Sequence, residues 1–247
     1  MSSVRNLASR ALRKAARIID RVQPIIYLDD EFITQLCYIN AGILEKGNIH
    51  SFDYVLSRLA SAAPILEIGS YCGLSANVLA YLKRKHGISN PILTCDKWEF
   101  QKPSGANNHI GNSALSYKAL EAFAKTSYMR NVQMFSGDDL PFTFEMTSDE
   151  FFDCWRDVQA RKDIFGRAYT LGGPLSFCFI DGNHTYPYAK RDFLNCDDFL
   201  EVGGFILFDD STLEKDEVRL VMPEVFASGR YKLIAQNPYH LFQKIRN

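Results

Sequence analysis

Two short runs of this chain are apolar at every position rather than at every second one: Phe177-Cys178-Phe179-Ile180 and Phe205-Ile206-Leu207-Phe208. A third, Ile65-Leu66-Glu67-Ile68, is interrupted only by one acid. Strands that read this way are buried on both faces, as parallel strands covered by helices are. Between the runs lie segments with apolar residues at helical spacing, such as Leu74, Val78, Leu79 and Leu82. Strands alternating with helices imply an α/β fold with a doubly wound, mostly parallel, Rossmann-like sheet. In such sheets ligands bind at the carboxyl ends of the strands, so chemistry is expected where the runs end.

The pattern divides the chain as follows. Helices are expected over 28–45, with Phe32, Leu36, Ile39 and Ile43 on one face, then over 51–62, 74–86, 113–127, around 148–164, over 187–200 and near 214–228. Strands are expected in 64–73 (with a turn), 91–98, 131–139, 175–182 and 203–211. Two alternating runs around Pro238 and Tyr239 should pair as a C-terminal antiparallel hairpin. Residues 99–112 are polar and rich in Gly, Pro and Asn, which predicts a loop. One domain over residues 26–247 accounts for this, preceded by a basic amphipathic helix within residues 1–25.

That N-terminal stretch carries Arg5, Arg10, Arg13, Lys14, Arg17 and Arg21 against the single acid Asp20. Three readings are open for it: packing on its own domain or on a second subunit as a homodimer, peripheral contact of residues 1–22 with a membrane or anionic partner, or an organelle transit peptide. Over its whole length the chain is 47% apolar and 23% charged with a net charge of −1, which excludes a disordered chain and gives no sign of a nucleic-acid partner. No apolar run reaches the ~18 residues of a membrane span. Six cysteines with no C-x-x-C pair predict a reducing, cytoplasmic setting and no structural zinc.

Three groups of residues stand where chemistry is expected. Glu67, Gly69, Ser70, Tyr71 and Gly73 form a strand-to-helix turn in which the glycines let backbone approach a ligand. An acid inside a strand is costly unless paired, so Glu67 should accept hydrogen bonds near that turn. Asp96 ends the second strand, followed by Trp98, and Asp138 follows the third. Asp181 ends the fourth strand, and Asp209 and Asp210 end the fifth. Carboxylates meeting at one rim repel and call for a partner, for which a divalent cation with oxygen ligands is suited. His184 has an unperturbed pKa near ~6.5, suited to a general base; Tyr186 and His109 are weaker pocket candidates.

The order "ILEIGSYCG", an acid 23 positions after Gly73, "SGDD", "FIDGNH" and "GGFILFDD" resembles the class I S-adenosylmethionine-dependent methyltransferases, in particular methyltransferase family 24 and the metal-dependent antibiotic-sugar O-methyltransferases. The resemblance spans roughly residues 50–245. It implies a seven-stranded sheet, S-adenosylmethionine held by the glycine turn, its ribose hydroxyls on Asp96, its adenine beside Trp98 and its exocyclic amine on Asp138. It also implies Mg²⁺ on Asp181, Asp209 and Asp210, and transfer of a methyl group to a hydroxyl of a sugar or small polyol-bearing metabolite. One departure stands out. The sugar enzymes carry an acid as base two positions after the first metal-binding Asp, where this chain has Asn183. His184 and Asp181 are then the candidate catalytic residues.

Two other classes are compatible with the same sheet. A nicotinamide-dependent oxidoreductase would carry G-x-G-x-x-G, which the turn lacks. A non-catalytic binding protein would explain Asn183 but not the clustered acids.

Overall fold

The computed structural model describes residues 25–100, 109–110, 113–214 and 216–247. The expected helix over residues 1–22 and most of the 99–112 loop lie outside the described residues.

In chain order the elements are α1 (Glu31–Ile39), α2 (Lys46–Leu56), β1 (Ile65–Ile68), α3 (Leu74–His86), β2 (Ile92–Cys95), α4 (Tyr117–Phe135), β3 (Phe142–Phe144), α5 (Ser148–Arg156), β4 (Ala160–Lys162), β5 (Ala168–Thr170), β6 (Leu175–Ile180), α6 (Tyr186–Phe199), β7 (Leu200–Phe208), α7 (Met222–Ser228), β8 (Tyr231–Gln236) and β9 (His240–Lys244). Seven strands form one sheet in the order β3-β2-β1-β6-β7-β9-β8. The pairs from β3 through β7 are parallel, and β9 runs antiparallel to both β7 and β8. β4 and β5 form a separate two-stranded hairpin. The architecture is Rossmann-like, with the expected C-terminal antiparallel hairpin.

The fully apolar runs are explained by two cores, one on each face. Phe177 and Phe179 of β6 and Phe205 and Leu207 of β7 pack under α1–α3 against Phe52, Val78 and Leu79. Cys178 and Ile180 of β6 and Ile206 and Phe208 of β7 face the other way, onto Phe193, Val221 and Val225. Each fully buried Phe, Ile or Leu contributes roughly 1.5–3 kcal/mol, so both faces of every central position stabilise the sheet.

The third strand is not where the sequence pattern puts it. Residues Asn131–Phe135 continue α4, because Tyr128 and Val132, four apart, are both buried on its inner face. The strand is Phe142–Phe144, and α5 begins immediately after it with a Thr147–Glu150 capping box. The N-terminal helices also differ from expectation. α2 starts five residues before position 51, and α1 ends at Ile39 and buries Ile33 and Leu36, leaving Ile39 and Ile43 exposed. The helix expected around 148–164 is the shorter α5 followed by the β4–β5 hairpin. The segment near 214–228 is a 3-10 turn (Glu217–Leu220) followed by α7.

α1 rises beside α3 toward the carboxyl ends of the parallel strands. Near its start Asp30 holds Tyr81 and Lys85, lower on α3. At its end Asn40 bonds Asn77 and the Cys72 carbonyl, at the top of α3. α2 descends again, from Asn48 at the end of β7 to Asp53, which meets His86 at the foot of α3. The turn between β8 and β9 lies on the same upper rim, because β9 starts there beside the end of β7.

Candidate functional site

Glu67 sits one residue before the end of β1 and is fully buried. Neither of its carboxylate oxygens, nor the Oγ of Ser70, makes a well-formed hydrogen bond. Burial pushes its pKa up to about 8, against the pull of the Ser75 hydroxyl, and the Asp181 carboxyl adds to the rise. The turn above it needs glycine at both marked positions. Gly69 has φ +85°, and a Cβ there would stand 2.0 Å from the Asp181 carbonyl oxygen; Gly73 has φ +86° and opens α3.

Asp96 closes this turn from below. One carboxylate oxygen accepts the Ser70 and Tyr71 backbone N–H groups at 2.8 and 3.0 Å, and the other accepts that of Trp98 at 2.6 Å. Burial raises its pKa, and these three bonds oppose the rise. Trp98 does not stand open beside the site. Its indole is buried, donates to the Tyr71 carbonyl at 2.8 Å and packs on Tyr128. The ring on the outer side of the turn is Phe100, edge-on to Tyr71.

Asp138 is a correction. It lies in a 3-10 turn, Gly137–Asp139, that follows α4 and precedes β3. In a parallel sheet that position is the amino-end rim, opposite the glycine turn, and the neighbouring Asp139 pairs with Lys83 in the last turn of α3. Glu145 and Met146, directly after β3, are the residues that reach the carboxyl-end rim there. The short "FTF" strand hid them, because the longer apolar pattern before "SGDD" looked like the strand.

The second group does assemble. β6 and β7 pair with Ile180 opposite Phe208, so Asp181 and Asp209 follow side by side. Burial pushes Asp209 up to about 9, with the Asp181 and Asp210 carboxyls adding to it. Burial also raises Asp181, and its bond with His184 lowers it. His184 bridges the acids, with Nε2 3.5 Å from Asp181 and Nδ1 3.1 Å from Asp210. These two contacts, Asp181 first, push its pKa up to about 10. Among the described residues, the three whose ligand atoms all lie within 4.8 Å of one another are His184, Asp210 and Asp216, a different trio from the three aspartates. Asn183 bonds within its own turn. Its Oδ1 accepts the Thr185 backbone N–H and hydroxyl just before α6. Tyr186 hydrogen-bonds Glu224, and His109, exposed, bridges Ser116; neither joins the cluster.

Three further residues reach the cluster from elsewhere in the chain. Asn48 of α2 donates to Asp209 Oδ1, Tyr239 in the β8–β9 turn donates to Asp210 Oδ1 at 2.7 Å, and Asp216 lies 3.9 Å from His184. Only Tyr239 had any sequence signal, its place at a hairpin tip. Between the glycine turn and the acids lies a small pocket lined by Gly42, Ile43, Ser70, Tyr71, Leu74 and Asp181.

The matched portion of this chain, residues 66–211, fits the family model described as a methyltransferase domain. Among solved structures it is similar to an O-methyltransferase from Bacillus cereus in complex with SAH, at 14% identity over 90% of this chain and 94% of that chain, with a TM-score of 0.53. It is similar to TomG from Streptomyces achromogenes, an O-methyltransferase involved in tomaymycin synthesis, in complex with SAM, at 13% identity over 90% and 93%, TM-score 0.54. It is also similar to the apo form of CalS11, a TDP-rhamnose 3'-O-methyltransferase of calicheamicin biosynthesis, at 15% identity over 90% and 98%, TM-score 0.50. At these identities the likeness speaks for the fold.

Proposed function

This chain belongs to the family of methyltransferase domains matched over residues 66–211, and from that premise we propose that it is an S-adenosylmethionine-dependent O-methyltransferase acting on a hydroxyl of a sugar or small polyol-bearing metabolite, with Mg²⁺ assisting. Residues 26–247 form its one catalytic domain. The observation that carries the reading is the buried, poorly partnered Glu67 carboxyl, together with Ser70 Oγ, beneath a glycine turn that shares a pocket with Asp181. A buried acid of this kind suits a cationic ligand. S-adenosylmethionine, when bound, supplies an electrophilic methyl carbon.

The chain's own residues do the rest. Gly69 and Gly73 let the turn approach the cofactor. Glu67, which burial keeps protonated at neutral pH without a cationic neighbour, offsets the cofactor's positive charge once that proton leaves, and Asp96, which retains lone pairs beyond its backbone bonds, accepts from the ribose hydroxyls. Asp181, Asp209 and Asp210 offer carboxylate oxygens that suit a hard divalent cation, with His184 and Asp216 within reach of Asp210. A cation there would lower the pKa of an acceptor hydroxyl. Holding that hydroxyl in line with the methyl carbon supplies much of the rate. The proton leaves to Asp181 or to the unprotonated form of His184. With no cation present His184 is protonated at neutral pH, so its service as base requires that proton to leave first.

Transfer from labelled S-adenosylmethionine to a panel of glycosides tests the metal part. Excess chelator should suppress transfer and added Mg²⁺ restore it; full turnover in chelator contradicts a metal role. Normal turnover by His184→Ala removes His184 as base.

A further inference from the structure

Two side chains that donate to the acid rim come from outside the strands that carry it. Asn48, in the first turn of α2, is fully buried. Its Nδ2 donates to Asp209 Oδ1, while its own Oδ1 is enclosed and, among the described residues, has no hydrogen-bond partner. An enclosed acceptor without a partner works against the fold. Packing alone therefore does not call for an amide at this position, whereas the bond to Asp209 does. Tyr239, also buried, donates to Asp210 Oδ1 at 2.7 Å. The neighbours of this second pair are clasped together: Ser211 Oγ accepts the His240 backbone N–H at 2.9 Å and lies 3.0 Å from His240 Nδ1. The clasp fixes the backbone of Asp210 against that of Tyr239. Asp210 has φ +51°, in the left-handed region that residues other than glycine enter at a cost and keep only where their surroundings hold them.

Each aspartate thus has one oxygen engaged by a donor from another element. Asp209 Oδ1 faces Asn48 and Asp210 Oδ1 faces Tyr239, while Asp210 Oδ2 lies 3.1 Å from His184 Nδ1. The way a carboxylate can grip separates the hard divalent cations. Ca²⁺ is large and often takes both oxygens of one carboxylate, whereas Mg²⁺ is small and demands octahedral geometry; Mn²⁺ is octahedral as well. Gripping with both oxygens would cost Asp209 or Asp210 its outside hydrogen bond. We infer that Asn48 and Tyr239 are positioning residues: by holding one oxygen each, they make Asp209 and Asp210 single-oxygen ligands and favour a small octahedral cation over Ca²⁺. The inference rests on the proposed cation role of these aspartates, and cation binding can be read without turnover.

The test is calorimetric titration of the full chain with MnCl₂ and with CaCl₂, with no methyl donor present. Wild type should bind Mn²⁺ more tightly than Ca²⁺. Tyr239→Phe keeps the ring and removes only the hydroxyl. Asn48→Ala removes the amide, and Asn48→Ser replaces that variant if alanine does not fold. In each, Mn²⁺ affinity should fall about tenfold, and the preference for Mn²⁺ over Ca²⁺ should shrink because the freed oxygen can grip the larger ion. Tyr231→Phe is the control. It removes a phenol that donates to the buried Asp197 at 2.7 Å, at the opposite end of β8 from Tyr239, and should leave both affinities unchanged. Wild-type affinities in Tyr239→Phe or in the Asn48 variant overturn the role of that residue. An equal loss for both cations, or the same change in Tyr231→Phe, overturns the inference as a whole, because a generally loosened site weakens every ligand alike. Transfer from labelled S-adenosylmethionine is then followed against Mn²⁺ concentration. In Tyr239→Phe the Mn²⁺ concentration for half-maximal rate should rise about tenfold, while the rate at saturating Mn²⁺ stays near that of wild type. A wild type that binds neither cation refutes the cation part of the proposed function and this inference with it. The expected affinity shifts with no label transferred leave the positioning role standing and refute the methyl-transfer reading.

Discussion

Asp96 accepts three backbone N–H groups from two loops, so what a substitution there reports depends on the residue chosen. Alanine would leave all three donors buried without partners, at about 1–3 kcal/mol each, and the melting temperature should fall along with cofactor affinity. Asparagine keeps one acceptor for Ser70 and Tyr71 and loses the carboxylate proposed to bind the ribose. Asp96→Asn should therefore stay folded by circular dichroism and bind S-adenosylmethionine at least about tenfold more weakly; unchanged affinity would remove Asp96 from the cofactor site. Asp192 gives a pH prediction. Burial in α6 pushes its carboxyl up to about 7, against the pull of the Ser148 hydroxyl. A carboxyl raised in the fold binds its proton more tightly there than in the unfolded chain, so its contribution is present at low pH and is lost as pH rises from ~4 through about 7. Asp192→Asn should flatten that decline and raise stability at pH 8 by an amount on the order of a few kcal/mol. Melting curves of both proteins at pH 5 and pH 8 check it. At this scale the acids at strand ends were legible because their positions follow from strand ends alone. Asn48 and Asp216 were not, because nothing local in the sequence says which distant polar residue a fold will bring to a rim.

Two elements from opposite ends of the chain meet behind the acid cluster. Gly47, at the start of α2, lies so close to the β8–β9 turn that a Cβ would stand 1.9 Å from the Asn237 carbonyl oxygen. The next residue, Asn48, holds Asp209, and two residues after Asn237, Tyr239 holds Asp210. Gly47→Ala should push these elements apart and destabilise the protein by about 1–3 kcal/mol, measured by thermal denaturation. It should also slow methyl transfer more than the stability loss explains, because both aspartates lose their supports. Wild-type melting and turnover in Gly47→Ala would show that the contact is not needed. Element boundaries were legible where caps and glycines mark them, as at α3 between Gly73 and Gly87. They failed at β3, where a three-residue strand is too short to show a period and the helix before it ends in apolar residues that read as a strand. At α1 the expected face of Phe32, Leu36, Ile39 and Ile43 held only at Leu36, because tertiary packing chose Ile33 beside it for the core and left Ile39 and Ile43 exposed.

The whole molecule follows from strands that must be covered on both faces. Their apolar runs gave the parallel sheet, and the parallel sheet gave the rim, before any side chain was placed. What the periodicity could not supply was the exposure of Tyr38, Ile39 and Ile43, a property of how α1 and the segment after it pack rather than of their spacing. The central claim is that the glycine turn and the acid rim together carry out methyl transfer. It is tested most directly by incubating the protein with methyl-labelled S-adenosylmethionine and a glycoside panel, and locating the label by mass spectrometry. The account predicts label on a hydroxyl oxygen of at least one glycoside, with transfer reduced at least about a hundredfold in Glu67→Gln, the size of a ~3 kcal/mol loss. Tight cofactor binding with label on no hydroxyl, or equal transfer by Glu67→Gln, would contradict it.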